Sequence, residues 1–128
     1  MPTRKVMRAN SQFLLDDLNL PGDLRKDLDA KKGLSGVLEL IPERERLDLE
    51  AEQYNALSDP IRLQIMYSLK VLDMCPCVIK KITDLSDSKL SYHLSILEKA
   101  GMISSRQNRN WRIYSLTAVG RGFLMKRE

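Results

Sequence analysis

The chain has two cysteines, Cys75 and Cys77, and their thiols are the side chains best suited to covalent or metal chemistry. Pro76 between them is typical of the first turn of a helix, so the two sulfur atoms are predicted to flank a helix N-terminus. A helix dipole and nearby lysines, here Lys80 and Lys81, lower the pKa of a thiol and favour the thiolate. Because the thiolate reacts with oxidants and binds soft metals, three roles stay open: redox sensing, binding of a soft metal or metalloid, and a structural pair.

The spacing of the two cysteines limits what oxidation can do. A disulfide between residues two apart closes a small strained ring, so oxidation is expected to link subunits or to stop at sulfenic acid. His93, the only histidine, lies sixteen residues beyond Cys77. A catalytic Cys–His pair also needs an orienting third group and a pocket, which this pattern does not supply. We therefore expect a protein that is not an enzyme and that requires no cofactor.

Residues 84–104 predict a helix with one apolar and one polar face. Ser86 can cap its start, Gly101 can end it, and Leu90, Leu94 and Leu97 recur at helical spacing. An ordinary solvated helix also has a polar face, but these side chains are short or flexible enough to enter a DNA major groove. The candidate DNA-binding residues of this face are Ser88, Lys89, Ser91, Tyr92, His93 and Ser95. For His93, the alternative to a phosphate contact is a role in helix packing.

The residues after Gly101 predict two short strands joined by a basic tip. Residues 102–107 and 111–116 contain strand-forming side chains, and the turn formers Asn108 and Asn110 lie between them. A helix, a turn, a second helix and a basic hairpin make a winged helix-turn-helix, a fold that is mainly α with a β-hairpin wing (α+β). The candidate DNA-binding residues of the wing are Arg106, Arg109 and Arg112.

Basic side chains are concentrated in this part of the chain. Residues 78–128 contain ten Lys or Arg and four Asp or Glu, a net charge of +6, whereas residues 1–77 carry −2. Positive charge that coincides with the helix and hairpin is typical of a phosphate-binding surface. No apolar run approaches the length that spans a membrane, and the first residues lack the apolar core of a signal peptide. We therefore expect a cytoplasmic protein with reduced cysteines.

Four motifs together resemble the ArsR/SmtB family of prokaryotic transcriptional repressors. They are the Ala-Leu-Ser-Asp-Pro-Ile-Arg-Leu-Gln-Ile run at 56–65, the Cys-Pro-Cys helix start at 75–77, the helix at 85–101 and the hairpin at 109–116. The resemblance covers about residues 45–127. It implies a homodimeric repressor that binds a double-stranded, roughly palindromic DNA operator through recognition helices in successive major grooves. A winged helix that serves as a protein-interaction scaffold, with structural cysteines and no effector, is the alternative.

The resemblance also implies an effector site. Residues 73–77 match the position at which family members hold metals or trivalent arsenic through a Glu-Leu-Cys-Val-Cys segment. A third nearby sulfur is common in such sites, but Lys80 occupies its place. Residues 117–128 contain neither the His nor the Asp of the family's other metal site. Cys75 and Cys77 are therefore enough for linear mercury or an incomplete arsenite site, but too few for a closed tetrahedral zinc site.

The Asp-Pro motif predicts the start of a further helix, with Asp59 as its N-cap and Pro60 at its first position. Arg62 has two interpretations: a surface salt bridge, or a support for the recognition helix or contact to a phosphate. The apolar residues that follow at core spacing are Ile61, Ile65, Met66 and Leu69.

The remaining residues predict an extension and an interface. Residues 1–43 are expected to form a partly helical N-terminal arm, with helices at 11–20 and 22–32, and with Gly33, Gly36 and Pro42 interrupting the apolar stretch that follows. Residues 44–128 are expected to form the winged helix domain. In the family, the helix before the Asp-Pro motif and the final helix form the dimer interface, and here they are residues 44–57 and 117–127. The alternative is that both helices cover only their own domain's core.

The final helix offers four apolar residues for this predicted interface, and Tyr54 and Phe123 are expected at or near it. The four are Ala118, Val119, Phe123 and Leu124.

Overall fold

The computed structural model describes residues 18–125, so the predicted helix at 11–20 lies mostly outside the described residues. Within them the chain forms seven helices and one hairpin. In order they are α1 (Gly22–Ala30), α2 (Gly33–Leu40), α3 (Arg44–Leu57), α4 (Pro60–Val71), α5 (Pro76–Thr83), α6 (Asp87–Lys99), β1 (Ile103–Asn108), β2 (Trp111–Leu116) and α7 (Ala118–Met125). The chain divides into two compact units between Leu49 and Glu50, within α3. The boundary after residue 43 stays a prediction.

Helix α2 forms where the glycines were expected to interrupt the chain, so that expectation is wrong. Gly33 has a φ of +74° and follows Lys32, whose φ is +67°, and together these residues make the left-handed turn from which α2 begins. Gly36 lies so close to the carbonyl group of Lys31 at the end of α1 that an added Cβ would overlap it. The glycines therefore allow α2 to start and to pack tightly against α1, and Pro42 follows the end of α2.

In the second unit, α4 begins as predicted. The Asp59 carboxylate accepts hydrogen bonds from the backbone amides of Ile61 (2.7 Å) and Arg62 (3.4 Å), and Pro60 lies in the first turn. Burial of one large apolar side chain contributes about 1.5–3 kcal/mol, so the shared core rather than helix propensity holds these short helices together. The core residues are Ala56, Ile65, Met66, Leu69, Met74, Ile79, Leu90, Leu94, Leu97, Ala100, Met102, Ile103, Tyr114 and Leu124.

Helices α5 and α6 form the helix-turn-helix. Asp84, with a φ of +57°, ends α5, and the Ser86 hydroxyl oxygen accepts from the amide of Lys89 at 3.3 Å, which confirms the predicted cap of α6. Gly101, with a φ of +79°, follows the end of α6 as predicted. The buried residues of α6 are Leu90, Leu94 and Leu97, also as predicted. The opposite face of α6 is therefore left to solvent.

Strands β1 and β2 form the predicted antiparallel hairpin, with Ile103 opposite Leu116 at its base and Asn108 opposite Trp111 at its tip. Met74, which precedes α5, pairs with Tyr114 on the outer edge of β2 in an isolated antiparallel bridge. The base of the wing therefore consists of three chain segments.

Helix α7 follows the wing and packs beside α3. The Thr117 hydroxyl donates to the carbonyl oxygen of Gly101 at 2.6 Å and accepts from the amide of Gly120 at 3.0 Å. The rings of Phe123 and Tyr54 meet edge to face, with centroids 5.3 Å apart. Leu124 is buried in the core of its own unit, so it does not supply apolar surface for an interface as expected.

Candidate nucleic-acid interface and thiol pair

The exposed face of α6 carries most of the predicted DNA-binding side chains. Helical spacing places these side chains opposite the buried leucines, and the serines add little bulk, which lets the backbone approach a groove. Lys89 and Tyr92 supply longer donors on the same surface. The exposed candidates are Ser88, Lys89, Ser91, Tyr92 and Ser95.

His93 is held differently from its neighbours. It is half-buried, and its Nδ1 atom lies 3.2 Å from Nη1 of Arg62. Because a guanidinium group has only donors, Nδ1 accepts this hydrogen bond and the ring proton of neutral His93 lies on Nε2. The His93 ring also contacts the ring of Tyr92 edge to face. His93 therefore takes part in helix packing through Arg62, and its contact to a phosphate stays a prediction.

Arg62 is a buried link rather than a surface salt bridge. The side chain is only 7% exposed, and its Nε and Nη2 atoms donate to the carbonyl oxygens of Ala56 (2.8 Å) and Asn55 (3.3 Å). These carbonyl groups lie in the last turn of α3, where the negative end of the helix dipole favours a cation. Since the same guanidinium also reaches His93, Arg62 joins the end of α3 to the recognition helix α6.

Arg62 also contributes to the N-cap of its own helix. Burial raises the pKa of the Asp59 carboxyl, but hydrogen bonds from the backbone amides of Ile61 and Arg62 and the charge of Arg62 outweigh it. The pKa of Asp59 therefore lies below its ordinary value, and the capping carboxylate is ionised near neutral pH.

The three predicted arginines of the wing have different surroundings. Arg109 lies at the exposed tip of the hairpin, with a φ of +58°. Arg106 Nη1 donates to the Asp73 carboxylate at 2.8 Å, and Arg112 Nη1 donates to the Ser105 hydroxyl oxygen at 2.8 Å. Two of the three arginines are thus braced by the protein, and Arg109 is the one that lies at the turn.

Asp73 is a partner of the wing that was not recognised from the sequence. Hydrogen bonds from Arg106 and from Ser115 are the largest influences on this carboxyl, and they hold the pKa of Asp73 below its ordinary value. Asp73 and Arg106 are 33 residues apart. No periodicity or local motif signals an ion pair at such a separation, so the sequence alone offered no means of finding it.

A shallow groove of about 450 Å³ separates α6 from the wing. Glu98 lies in it, and its carboxylate accepts from the Ser105 hydroxyl at 3.1 Å. Burial, and then the negative charge of Glu98, raise the pKa of the Tyr114 phenol at the same place. The residues that line the groove are Ser91, Leu94, Ser95, Glu98, Lys99 and Tyr114. Glu98 disfavours a phosphate beside it and Lys99 favours one, so the groove has mixed charge.

Cys75 and Cys77 are paired with each other as a disulfide, whereas the sequence led us to expect reduced thiols or oxidation that links subunits. Their Cα atoms lie 5.5 Å apart, within the range that a disulfide spans, because the chain turns into α5 between them. Cys75 is the N-cap of α5 and Pro76 lies in its first turn, as predicted. Lys80 forms an ion pair with Asp87 at the start of α6, at 2.9 Å.

The thiol pair does not form a complete metal site within one chain. Among residues 18–125, no group of three or more His, Cys, Asp or Glu side chains is arranged to hold a metal ion. The carboxylate of neighbouring Asp73 is bound to Arg106. Two sulfur atoms fit a two-coordinate soft ion such as mercury, but the described residues do not supply a third donor for arsenite.

Comparison with known proteins places this arrangement in a family. Residues 59–105 match the family model described as bacterial regulatory protein, arsR family. A putative arsenical resistance operon repressor from Halobacterium salinarum is 31% identical over 116 residues, which cover 80% of this chain and 90% of that protein. An arsenical resistance operon repressor from Bacillus subtilis is 39% identical over 66 residues, which cover 51% of this chain and 63%, less than two thirds, of that protein.

A solved structure supplies the comparison of fold. The homodimeric winged helix-turn-helix DNA-binding domain of Mb0332 from Mycobacterium bovis, described as a possible ArsR-family regulator, matches with a TM-score of 0.61. The match covers 69% of this chain and 85% of that one at 24% identity, so it shows the fold alone.

The second unit is a winged helix-turn-helix, the fold predicted from the helix and hairpin. The chain belongs to the ArsR family of bacterial regulatory proteins, which confirms the resemblance carried by its four motifs. Its relatives in that family are transcriptional regulators. No helix within residues 18–125 is long and apolar enough to cross a membrane.

Proposed function

We propose that this protein is a cytoplasmic, homodimeric repressor that binds a DNA operator with α6 in the major groove and the wing against the backbone. The observation that carries the proposal is the exposed polar face of α6, held from behind by Arg62, next to a hairpin with Arg109 at its tip. The names of the two relatives, both arsenical resistance operon repressors, support repression.

The proposed contacts to DNA differ between α6 and the wing. The exposed residues of α6 meet base edges and nearby phosphates, and the wing arginines meet the backbone. The proposed DNA-binding residues are Ser88, Lys89, Ser91, Tyr92, His93, Ser95, Arg106, Arg109 and Arg112.

We predict that Lys89→Ala and Ser91→Ala each lower operator affinity about tenfold, because each removes a donor to a base edge or nearby phosphate. Arg109→Ala weakens binding to all sequences alike, and it reduces the slope of log affinity against log salt by about one, because the protein then neutralises one phosphate fewer. The measurement is fluorescence anisotropy with duplex from the gene's own upstream region, at several salt concentrations.

Lys26→Ala is the matched control, because Lys26 is an exposed lysine of α1 and is not one of the proposed DNA-binding residues. Its affinity should equal that of the native protein. If Lys89→Ala, Ser91→Ala and Arg109→Ala all bind the operator with native affinity, this surface is not the DNA-binding surface. Failure of the native protein to bind any duplex would favour a protein-interaction scaffold.

Homodimerisation is proposed from the apolar surface that α3 and α7 leave exposed within the second unit. Tyr54 is 51% exposed although it contacts Phe123, and Val119 is 48% exposed. The two rings border a 340 Å³ hollow that reaches Leu63 and Tyr67 of α4. Exposed apolar surface of this kind on a small domain is typical of a protein interface.

We predict that the native protein sediments with the mass of two chains at micromolar concentration, and that Tyr54→Glu gives the mass of one chain, because Tyr54 lines the hollow and the change places a charge in the proposed interface. Val71→Glu is the matched control, since Val71 is 78% exposed on α4 and does not line this hollow. A one-chain mass for the native protein would contradict the proposal.

The effector proposal rests on the thiol pair. Cys77 is exposed to solution, and the disulfide lies at the N-terminus of α5, the helix that packs behind α6. A change in the bonding of these sulfur atoms therefore alters the start of a helix that supports the recognition helix. We infer that Cys75 and Cys77 sense redox state. A soft metal ion that takes two ligands is the alternative effector, because two sulfur atoms can bind it.

We predict that the protein, once reduced with dithiothreitol, loses operator affinity when diamide re-forms the disulfide and regains it when dithiothreitol is added again. A Cys75→Ser, Cys77→Ser double variant should bind DNA with native affinity and respond to neither reagent. A response to mercury or arsenite under reducing conditions, without a response to diamide, assigns the pair to metal sensing. A full response by the double variant would place the sensor elsewhere.

A further inference from the structure

The segment before Cys75 is part of the wing. Met74 exchanges two backbone hydrogen bonds with Tyr114 of β2: the Met74 amide donates at 3.2 Å and the Tyr114 amide donates at 2.9 Å. The Met74 side chain is buried in the core. A residue held by its backbone and its side chain moves together with the strand to which it is bonded.

The preceding residue adds a second connection to the same hairpin. Asp73 accepts from Arg106 of β1 at 2.8 Å, and Arg106 Nη1 also donates to the Ser115 hydroxyl of β2 at 2.9 Å. Asp73 thus engages β1 directly and β2 through Arg106, while Met74 is bonded to β2. The two residues together fix the segment to both strands of the wing.

On its other side, Cys75 is fixed to α5. The carbonyl oxygen of Cys75 accepts from the amides of Val78 (3.1 Å) and Ile79 (3.3 Å), which are the first hydrogen bonds of that helix. Cys75 therefore joins Met74, which is bonded to the wing, to α5, whose residue Cys77 is bonded to Cys75 by the disulfide. A change in the backbone of Cys75 alters the position of the wing relative to α5.

We propose that residues 73 and 74 carry the redox state of the Cys75–Cys77 pair to the wing, with Asp73 and Arg106 as positioning residues. The proposal rests on the sensor function proposed above and adds its route. The alternative routes to α6 pass through the turn at Asp84, nine residues beyond Cys75, or through the ion pair of Lys80 with Asp87, five residues beyond it. Tyr114, by contrast, is bonded to the residue directly before Cys75. Of the two DNA-binding elements, the wing thus has the shorter bonded connection to Cys75.

The chemical step is reduction of the disulfide by a dithiol. The dithiol gives two electrons and two protons, the bond between the two sulfur atoms of Cys75 and Cys77 breaks to give two thiols, and the dithiol closes to its own cyclic disulfide. Diamide reverses the step by accepting two electrons and two protons. Opening the ring releases the Cys75 backbone, so the bridge between Met74 and Tyr114 loosens and the hairpin moves.

Trp111 is a built-in probe of this movement, because it is the only tryptophan of the chain and lies 57% exposed at the tip of the wing. We expect its emission spectrum and anisotropy, measured without DNA, to change when dithiothreitol reduces the native protein and to return with diamide. Hydrogen exchange of the Tyr114 amide should be faster in the reduced protein. The Cys75→Ser, Cys77→Ser double variant should show neither change.

Asp73→Asn and Arg106→Gln test the route. Each should lose the redox-dependent change at Trp111 while its disulfide still forms, as verified by mass spectrometry, and Asp73→Glu should restore it. Circular dichroism shows whether each variant folds. If Asp73→Asn does not fold, Arg106→Gln provides the same test of the route. A Trp111 signal that is equal in the two redox states of the native protein, or that persists in both variants, would overturn the proposal.

The two proposals fail separately. If Trp111 responds to redox state but operator affinity does not, the route to the wing stands and the sensor function is wrong. If operator affinity responds while Trp111 and the Tyr114 amide do not, the sensor function stands and the route is wrong.

Discussion

Gly120→Ala is expected to lower the free energy of unfolding by about 3 kcal/mol or more, because α7 packs on a backbone carbonyl at this position. A Cβ at residue 120 would overlap the carbonyl oxygen of Met102 and lie 2.9 Å from Cδ1 of Leu116. A backbone group cannot rotate aside as a flexible side chain can. The helix must therefore shift away from residue 102, which breaks the Thr117 cap and opens the core at Leu124.

Gly122→Ala is the matched control on the same helix, since a Cβ there meets no atom within 4 Å. It should leave stability unchanged or raise it by about 0.5–1 kcal/mol, because alanine favours a helix over glycine. Urea unfolding at one fixed protein concentration measures both variants, since self-association adds to apparent stability. Equal midpoints for the two variants would contradict the packing of α7 described above.

Helix boundaries were predictable wherever a signal acts within a few residues. The caps at Asp59 and Ser86 and the glycine at 101 each depend on neighbouring backbone groups, so their chemistry can be recognised in the sequence. Helix α2 was missed for the opposite reason. Gly36 is needed because the carbonyl group of Lys31 lies against it, and that contact exists only after α1 and α2 have packed together.

The same distinction separates what was predictable in the candidate site from what was not. The exposed face of α6 follows from helical periodicity, which the sequence contains in full. The contacts from Arg62 to His93 and from Arg106 to Asp73 join residues 31 and 33 positions apart, and they depend on how whole elements pack. The disulfide within one chain was not expected, because the ring between residues two apart was taken to be strained. The turn of the backbone into α5, which brings Cys75 and Cys77 within reach of each other, is seen only in the structure.

Arg62→Met is expected to lower the free energy of unfolding by about 3 kcal/mol and to weaken operator binding, although Arg62 is buried away from the DNA-binding face. Methionine retains the apolar stem but removes all donors. The carbonyl oxygen of Ala56 then loses its 2.8 Å hydrogen bond, and His93 Nδ1 loses its partner. Because His93 belongs to α6, the recognition helix becomes less firmly held, and binding falls through loss of preorganisation.

Two variants separate this link from the general effect of losing a positive charge. Arg62→Lys keeps the charge but replaces a fork of donors with one ammonium group, so it should restore only part of the stability and affinity. Arg46→Met removes an exposed arginine of α3 and should change neither quantity by more than about 0.5 kcal/mol. Urea unfolding and anisotropy titrations, performed where every variant is folded, provide both measurements. Native stability in Arg62→Met would show that α3 and α6 are held together without this guanidinium.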